Sequence, residues 1–176
     1  MSQLRREVSD VKRVVTKRTE DGGAAFEQVG EPGTVVRFGP GFAVHEVWRL
    51  EGPPEAVSSG HDPKAYGFEP ERGAVFRQVV IPPDETVMAS LGRGEKWGRN
   101  SPYRSTGEDY GSHATETLDL VTVVSGRVDL RLPDGSSERL DPGDVVVQQG
   151  AEHAWRNPGP DPLVLSVVMM GVRHGG

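Results

Sequence analysis

Residues Gly111–Asn157 read GSHATETLDLVTVVSGRVDLRLPDGSSERLDPGDVVVQQGAEHAWRN. Three extended segments lie within this stretch. Residues 118–124 are mostly apolar, residues 127–132 alternate strictly between polar and apolar, and residues 144–149 are rich in valine. Alternation with a period of two is typical of a half-buried strand. Pro133-Asp134-Gly135 predicts a tight turn, because proline fixes φ and glycine supplies a positive φ.

The same period of two decides which polar side chains meet. In a regular first strand His113, Thr115 and Asp119 share one face, and Glu116 points to the other face as a solvated charge. His153 follows the third strand and comes beside the first strand if the sheet closes. The spacing therefore predicts that two imidazoles and a carboxylate converge.

This stretch resembles the two motifs of the cupin superfamily, roughly G-x5-H-x-H-x3,4-E-x6-G and G-x5-P-x-G-x2-H-x3-N. His113 falls at the first histidine of the first motif, and Gly126 lies seven residues after Asp119, the spacing that the family keeps from its glutamate to its glycine. The second motif is matched at four positions, which are Gly143, Gly150, His153 and Asn157. The sequence departs from the family at three positions. Thr115 replaces the second histidine of the first motif, and Asp119 replaces its glutamate. Gln148 replaces the proline of the second motif, and the segment from Gly143 to Gly150 is one residue shorter than in the motif.

The resemblance implies an all-β double-stranded β-helix, the jelly-roll barrel of the cupins. It is poorly informative about the reaction, because cupins include dioxygenases, isomerases, decarboxylases, cyclases, seed storage proteins and sugar-binding domains.

The family's four-ligand metal set reduces here to His113, Asp119 and His153, which are also the candidate catalytic residues. Two imidazoles and one carboxylate suit a divalent transition metal such as Fe, Mn, Zn or Ni. Aspartate is shorter than glutamate by one methylene, so a second role stays open for Asp119: a metal-free acid or base whose pKa is raised by burial. In a purely structural interpretation the two histidines lie at a strand start and in a turn.

Composition limits the class of protein. The chain has 176 residues, a net charge of −6 and no cysteine. The negative charge argues against a nucleic-acid partner, and the lack of cysteine excludes a disulfide framework. No apolar run approaches the roughly 18 residues of a membrane span, and the start does not resemble a signal peptide, so we expect a cytoplasmic protein with no membrane partner.

Eight to eleven short strands are predicted along the chain, with no helix longer than two turns. Segments outside the central stretch that read as strands are 12–19, 24–29, 34–38, 42–50, 74–81, 86–91 and 163–170. Polar loops are predicted at 51–73 and 91–112. We expect one domain over residues 1–176, with a core at about 111–170 and surplus strands at about 10–50 that favour a homodimer.

Five residues are predicted to form a substrate pocket: Thr115, Trp155, Gln148, Arg77 and Trp48. The tryptophans suit a flat organic ligand, and the polar groups suit its carboxylate or enolate. Phe76 is predicted to belong to the core. Trp97, Tyr103 and Tyr110 lie in the glycine-rich loop 91–112, which we interpret as a lid.

The function favoured by these patterns is a small metal-dependent enzyme that acts on an organic carbonyl or aromatic compound, as an oxygenase or as a cyclase or isomerase. A metal-free module that binds or senses a small molecule is the alternative. A purely structural protein is disfavoured, because polar groups converge where a packed barrel would hold apolar ones.

Overall fold

Antiparallel strands dominate the computed structural model, which describes residues 11–56, 58–67, 69–97 and 110–172. The elements are β1 (Arg13–Arg18), β2 (Ala24–Gly30), β3 (Thr34–Gly39), β4 (Phe42–Leu50), β5 (Ala74–Ile81), α1 (Asp84–Gly92), β6 (Thr117–Ser125), β7 (Val128–Arg131), β8 (Ser137–Leu140), β9 (Val145–Gln149), β10 (Ala154–Arg156) and β11 (Leu163–Gly171). The all-β fold predicted from the sequence is confirmed. The extent of the single domain stays a prediction.

Two sheets build the body of the barrel. The larger has six strands in the order β3-β4-β5-β11-β6-β9, and the smaller has the order β10-β7-β8. Strand β11 is apolar on both faces and lies between β5 and β6, as expected for a central strand. Alternate residues of the six-stranded sheet, among them Val75, Val123 and Leu165, point inward and are almost fully buried.

A bulge in β4 changes which side chains face the interior. The pairing of β4 with β5 shifts between Glu46 and Trp48, so that Val47 is an extra residue. Because side chains alternate with period two, one extra residue moves every later side chain to the opposite face. Trp48 therefore lies on the outer face, opposite Phe76, which is 37% exposed. The prediction that Trp48 faces the pocket side is wrong for this reason. The prediction that Phe76 belongs to the core is also wrong, because alternation along β5 places it on the face opposite to Arg77, which lines the cavity.

Helix α1 replaces the strand predicted at residues 86–91. Pro83 precedes the helix, and Asp84 and Glu85 occupy its first turn, where carboxylates interact favourably with the helix dipole. The helix buries Val87 and Ser90 against the barrel. It has nine residues, whereas a membrane-spanning helix needs about 20. No membrane-spanning helix occurs among the described residues.

Strands β1 and β2 form a separate two-stranded sheet, which accounts for the surplus strands at the N-terminal side. Isolated hairpins are marginally stable and need packing against another element. Arg13 ties this hairpin to the body: it is 8% exposed, donates to the carbonyl of Val47 at 3.0 Å, and forms an ion pair with Asp62. The homodimer that these strands led us to expect stays a prediction.

The loop predicted at 91–112 is described only at its two ends. Residues 98–109, including Tyr103, lie outside the described residues. Trp97 packs edge-on against Phe42, with ring centroids 6.3 Å apart, and Tyr110 is buried beneath the guanidinium of Arg156. Both described aromatic residues of the loop are thus fixed to the body, and the lid function stays a prediction.

Gly126 provides a test of the turn that joins β6 to β7. It has a φ of +80°, and a Cβ atom built there would lie 2.8 Å from Leu163 Cα and 3.0 Å from Pro162 O. Gly135 is a matched control, because its φ is +87° but nothing lies within 4 Å of its Cβ position. Gly135→Ala should cost about 1–2 kcal/mol for the left-handed backbone alone. Gly126→Ala should lower the free energy of unfolding by clearly more, because the backbone at Pro162 and Leu163 must also move. Urea unfolding measures both variants, and equal losses of stability would contradict this packing.

Candidate functional site

A cavity of about 110 Å³ lies inside the barrel, mostly against the six-stranded sheet. Its lining consists of Phe38, Phe42, Val44, Tyr66, Arg77, Val79, Ile81, Gly111, His113, Thr115, Asp119, Val121, Trp155, Leu165, Val167 and Met169. The walls are mainly apolar and aromatic, with a small number of polar side chains among them. This composition is typical of a small-molecule site, in which apolar walls bind the body of a ligand and a few polar groups orient it.

His113 and His153 lie side by side, as the sequence predicted. The backbone N–H of His113 donates to the carbonyl of His153 at 3.0 Å, and the reverse bond is 2.9 Å. The ring centroids are 4.6 Å apart. This bridge joins the chain entering β6 to the chain entering β10, so it links the two sheets as well as the two imidazoles.

The ring orientations are set by backbone carbonyls. His113 Nδ1 lies 3.0 Å from Gly111 O, and His153 Nδ1 lies 2.8 Å from Ala151 O. A neutral imidazole in this arrangement donates from Nδ1 and keeps the lone pair on Nε2. Burial, together with the nearby His113, lowers the pKa of His153 to about 4, so its ring is neutral at pH 7. Second-sphere carbonyls of this kind are typical of histidines that bind a metal through Nε2.

Asp119 supplies the carboxylate of the site. It is 5% exposed and lines the cavity together with Thr115, as period two predicted, while Glu116 is exposed. Among the described residues its Oδ1 atom has no hydrogen-bond partner. Burial raises the pKa of Asp119, and this effect is only partly opposed by a hydrogen bond with Thr117 and by the charge of Arg77. The carboxylate is thus held in a mainly apolar setting.

The fit of a metal ion to these side chains is incomplete. The two imidazoles suit an ion, since each has an Nδ1 tied to a carbonyl. Nevertheless, the part of the chain that the structure describes contains no group of three or more histidine, aspartate or glutamate side chains that could hold one. Asp119 therefore does not complete a three-ligand site here, and metal binding by His113, Asp119 and His153 stays a prediction.

A buried ion pair lies beside the carboxylate. Arg77 Nε is 2.7 Å from Glu46 Oε1, and the two side chains are 4% and 0% exposed. Burial raises the pKa of Glu46, and the charges of Arg77 and Arg49 oppose that rise. Arg77 also lies under the ring of Tyr66, 4.9 Å from its centroid.

The predicted pocket residues divide into two groups. Thr115, Arg77 and Trp155 line the cavity. Gln148 is buried and pairs with Asp119, but its amide donates to Ala151 O at 2.6 Å and it is not part of the lining. Trp48 lies on the outer face of the sheet, beyond the β4 bulge.

Sequence reasoning missed two polar side chains of this region. Tyr66 comes from a segment interpreted only as a polar loop, and Glu46 was one alternating residue of a strand. A glutamate on the buried face of a strand is itself a signal, because a buried carboxylate needs a partner. Applied to β4, that rule could have paired Glu46 with an arginine on a neighbouring strand.

The comparison with protein families agrees with this architecture. Residues 104–169 match a family model described as "Cupin domain", and this segment contains His113, Asp119 and His153. "Oryzines biosynthesis cluster protein J" of Aspergillus oryzae is 29% identical over 157 residues, which cover 84% of this chain and 75% of the relative. "Cupin-domain-containing oxidoreductase srdB" of Neurospora crassa is 42% identical over 45 residues, which cover 26% of this chain and 23% of that protein. Among solved structures, an RmlC-like cupin from Shewanella frigidimarina is 13% identical, with a TM-score of 0.42 and coverage of 80% of this chain and 86% of that one.

The low pKa of His153 gives a prediction for stability against pH. Its folded pKa, about 4, lies below the ordinary value of 6.5. The neutral ring therefore stabilises the fold fully above pH 6.5, and this contribution is lost as the pH falls from 6.5 toward 4. Between about pH 7.5 and about pH 5, the protonation of this histidine should lower the free energy of unfolding of wild type by about 2 kcal/mol.

Urea unfolding of His153→Gln at the same two pH values tests this. Its free energy of unfolding should fall by about 2 kcal/mol less than that of wild type. The matched control is His61→Gln, which changes a half-exposed loop histidine and should keep the wild-type dependence. An unchanged dependence in His153→Gln would contradict a buried neutral ring.

Proposed function

Because residues 104–169 of this chain are a cupin domain, we propose that the protein is an enzyme that acts on a small organic carbonyl or aromatic compound inside the barrel. The observation that carries the proposal is the position of Asp119, a buried carboxylate on the cavity wall whose Oδ1 has no hydrogen-bond partner among the described residues. A buried carboxylate with a purely structural role normally has both oxygens hydrogen-bonded. An oxygen kept without a partner beside a cavity is suited to a ligand.

The reaction class that fits this geometry best is proton transfer, as in an isomerase or cyclase. Asp119 would remove a proton from the carbon next to a carbonyl group; the electron pair of that C–H bond would form a C=C bond, and the π pair of the carbonyl group would move to its oxygen to give an enolate. Return of the proton to another carbon would complete an isomerisation. Apolar walls such as Val121 and Leu165 would keep water from the carboxylate and hold the body of the substrate.

Small-molecule chemistry is also supported by the relatives. One is named as a protein of a biosynthesis cluster and another as an oxidoreductase. The paired imidazoles support a metal-dependent alternative, in which His113 and His153 would hold a divalent transition metal and Asp119 would have to move to become its third ligand. Such an ion would supply Lewis-acid or redox chemistry.

Solvent exchange can test the proton-transfer proposal without knowledge of the natural substrate. The purified protein would be incubated in D₂O with a panel of small ketones, enones and aromatic carbonyl compounds, and exchange next to the carbonyl would be followed by ¹H NMR. At least one compound should exchange faster with wild type, and Asp119→Asn should reduce that rate by more than about 100-fold.

The same variant separates chemistry from folding. Asp119→Asn replaces a buried charge by a neutral amide of the same shape, so its thermal stability at neutral pH should equal or exceed that of wild type. A variant that folds and exchanges as fast as wild type would show that Asp119 is not the base. Compounds that bind wild type without exchange would favour the binding-module alternative.

Metal content tests the second candidate. Protein purified without chelator should carry close to one divalent transition metal per chain if the metal-dependent form is right, and His153→Ala should lose it. His61→Ala is the control, since His61 lies in a surface loop and should retain the wild-type content. Elemental analysis gives the result directly. Wild type that stays empty after reconstitution with Fe, Mn, Zn or Ni would rule this alternative out.

A further inference from the structure

Arg77 lines the cavity, and its guanidinium contacts a different partner with each of its three nitrogens. Nε is 2.7 Å from Glu46 Oε1. Nη2 donates to the carbonyl of Gly67, and Nη1 donates to Met169 Sδ at 3.2 Å. Two contacts are therefore with oxygen and fix the orientation of the group, whereas the third is with sulfur.

The contact between Arg77 and Met169 is the weakest of the three. A thioether sulfur is a poor hydrogen-bond acceptor, whereas carboxylate and carbonyl oxygens accept strongly from a guanidinium. Both Arg77 and Met169 line the cavity, so a ligand can reach the N–H that points to the sulfur. A ligand oxygen that takes the place of the sulfur gives Nη1 a stronger acceptor.

Met169 also lies beside the proposed base. It pairs with Asp119 across strands β11 and β6, and both side chains line the cavity. The charge of Arg77 opposes the rise that burial causes in the pKa of Asp119, as expected for two groups close to each other. The donor Nη1 of Arg77 and the Oδ1 atom of Asp119 therefore serve the same part of the cavity.

Glu46 determines the net charge at this arginine. The two residues pair across β4 and β5, and the side chains of Arg77 and Glu46 are 4% and 0% exposed. Together they carry no net charge, so the arginine does not compensate a second anion. A carboxylate on the ligand would bring a like charge beside Asp119 in a mainly apolar cavity, where the repulsion is poorly screened.

The volume of the cavity limits the ligand further. An apolar cavity of about 150 Å³ is large enough to bind benzene. The cavity here has about 110 Å³. By comparison with benzene, it has room for about six non-hydrogen atoms or fewer. Apolar walls such as Val44 and Leu165 suit the hydrocarbon part of such a ligand.

We propose that the cavity binds a small uncharged ketone or aldehyde, with its oxygen on Arg77 Nη1 in place of Met169 Sδ. Glu46 is a positioning residue, because it orients the guanidinium and cancels its net charge. Of the carboxylate and the enolate that the sequence suggested for the ligand, Glu46 leaves only the enolate.

The same contact gives Arg77 a part in the proton transfer proposed above. An N–H already aimed at the carbonyl oxygen stabilises the negative charge that appears there when Asp119 takes the proton. The total charge of the cavity does not change in this step, because the charge moves from Asp119 to the enolate. This part of the inference rests on the proposed function, whereas the binding of an uncharged carbonyl compound is measured without it.

A matched pair of probes tests the charge of the ligand. Isobutyramide and isobutyrate have the same shape and size but differ in charge, and cyclopentanone is an uncharged ketone of similar size. NMR titration of wild type near neutral pH gives the three dissociation constants. Both uncharged probes should bind, and isobutyrate should bind at least about tenfold more weakly than isobutyramide. Equal or tighter binding of isobutyrate, or no binding of either uncharged probe, would overturn the proposal.

Glu46→Gln tests the origin of this selectivity. The variant removes the charge that balances Arg77, so isobutyrate should bind at least about tenfold more tightly than it binds wild type. Glu138→Gln is the matched control: it changes the net charge equally at an exposed position of β8 and should keep the wild-type selectivity. A Glu46→Gln variant that is folded by circular dichroism and has unchanged selectivity would contradict the role of Glu46.

Met169→Leu tests the position of the oxygen, and it decides the question if Glu46→Gln does not fold, because the volume of the side chain is nearly conserved. Without the sulfur, no bond to Arg77 has to break when a ligand binds, so cyclopentanone should bind at least about threefold more tightly. Met170→Leu is the matched control, since the next side chain of β11 points to the opposite face and should not affect the affinity. Equal or weaker binding of cyclopentanone by Met169→Leu would place the oxygen elsewhere.

Solvent exchange in D₂O separates a failure of this inference from a failure of the proposed function. Selective binding of the uncharged probes, with no exchange of any carbonyl compound, would support the binding site and overturn the proposed proton transfer. Exchange confined to anionic keto acids such as levulinate would support the proton transfer and overturn the substrate class proposed here.

Discussion

The paired backbone hydrogen bonds between His113 and His153 are the contact on which the site depends. These bonds, 3.0 and 2.9 Å long, tie the entry of β6 in one sheet to the entry of β10 in the other. They hold the two imidazoles together and place Trp155 edge-on to His153, with ring centroids 5.4 Å apart. Because each residue donates and accepts once, the closure of the barrel and the geometry of the histidine pair are one interaction.

Polar groups buried next to the cavity work against the stability of the fold. Asp119, Glu46 and Arg77 are each 5% exposed or less, and burying a charge costs free energy even when a partner is present. An apolar set of the same size would pack as well and avoid that cost. The charged side chains in the interior are therefore better explained by binding of a ligand than by packing.

One sheet serves two surfaces, and the bulge in β4 determines how they are divided. Before the bulge Glu46 points inward to Arg77; after it Trp48 points outward to join Phe76. If β4 paired regularly past Glu46, Trp48 would lie opposite the inward-pointing Val75 and would point into the barrel. The bulge thus assigns Glu46 to the cavity side and Trp48 to the outer face of the six-stranded sheet.

Much of this protein could be predicted from its sequence, because strands of period two leave a direct record in the order of residues. That record gave the all-β fold, the inward set of Thr115, Asp119 and Val121, and the pairing of His113 with His153. It failed at residues 86–91, where too few turns are present for a helical period to stand out and where Pro83 and the two acidic residues after it were the only signal.

Only the tertiary structure decided the rest. Tyr66 and Glu46 come from different segments of the chain and meet only at Arg77. The outward position of Trp48 depends on a register shift that no local pattern specifies. Alternation along a strand is a local property, whereas the register between strands depends on how the whole sheet packs, and the side that Trp48 faces was therefore fixed by packing.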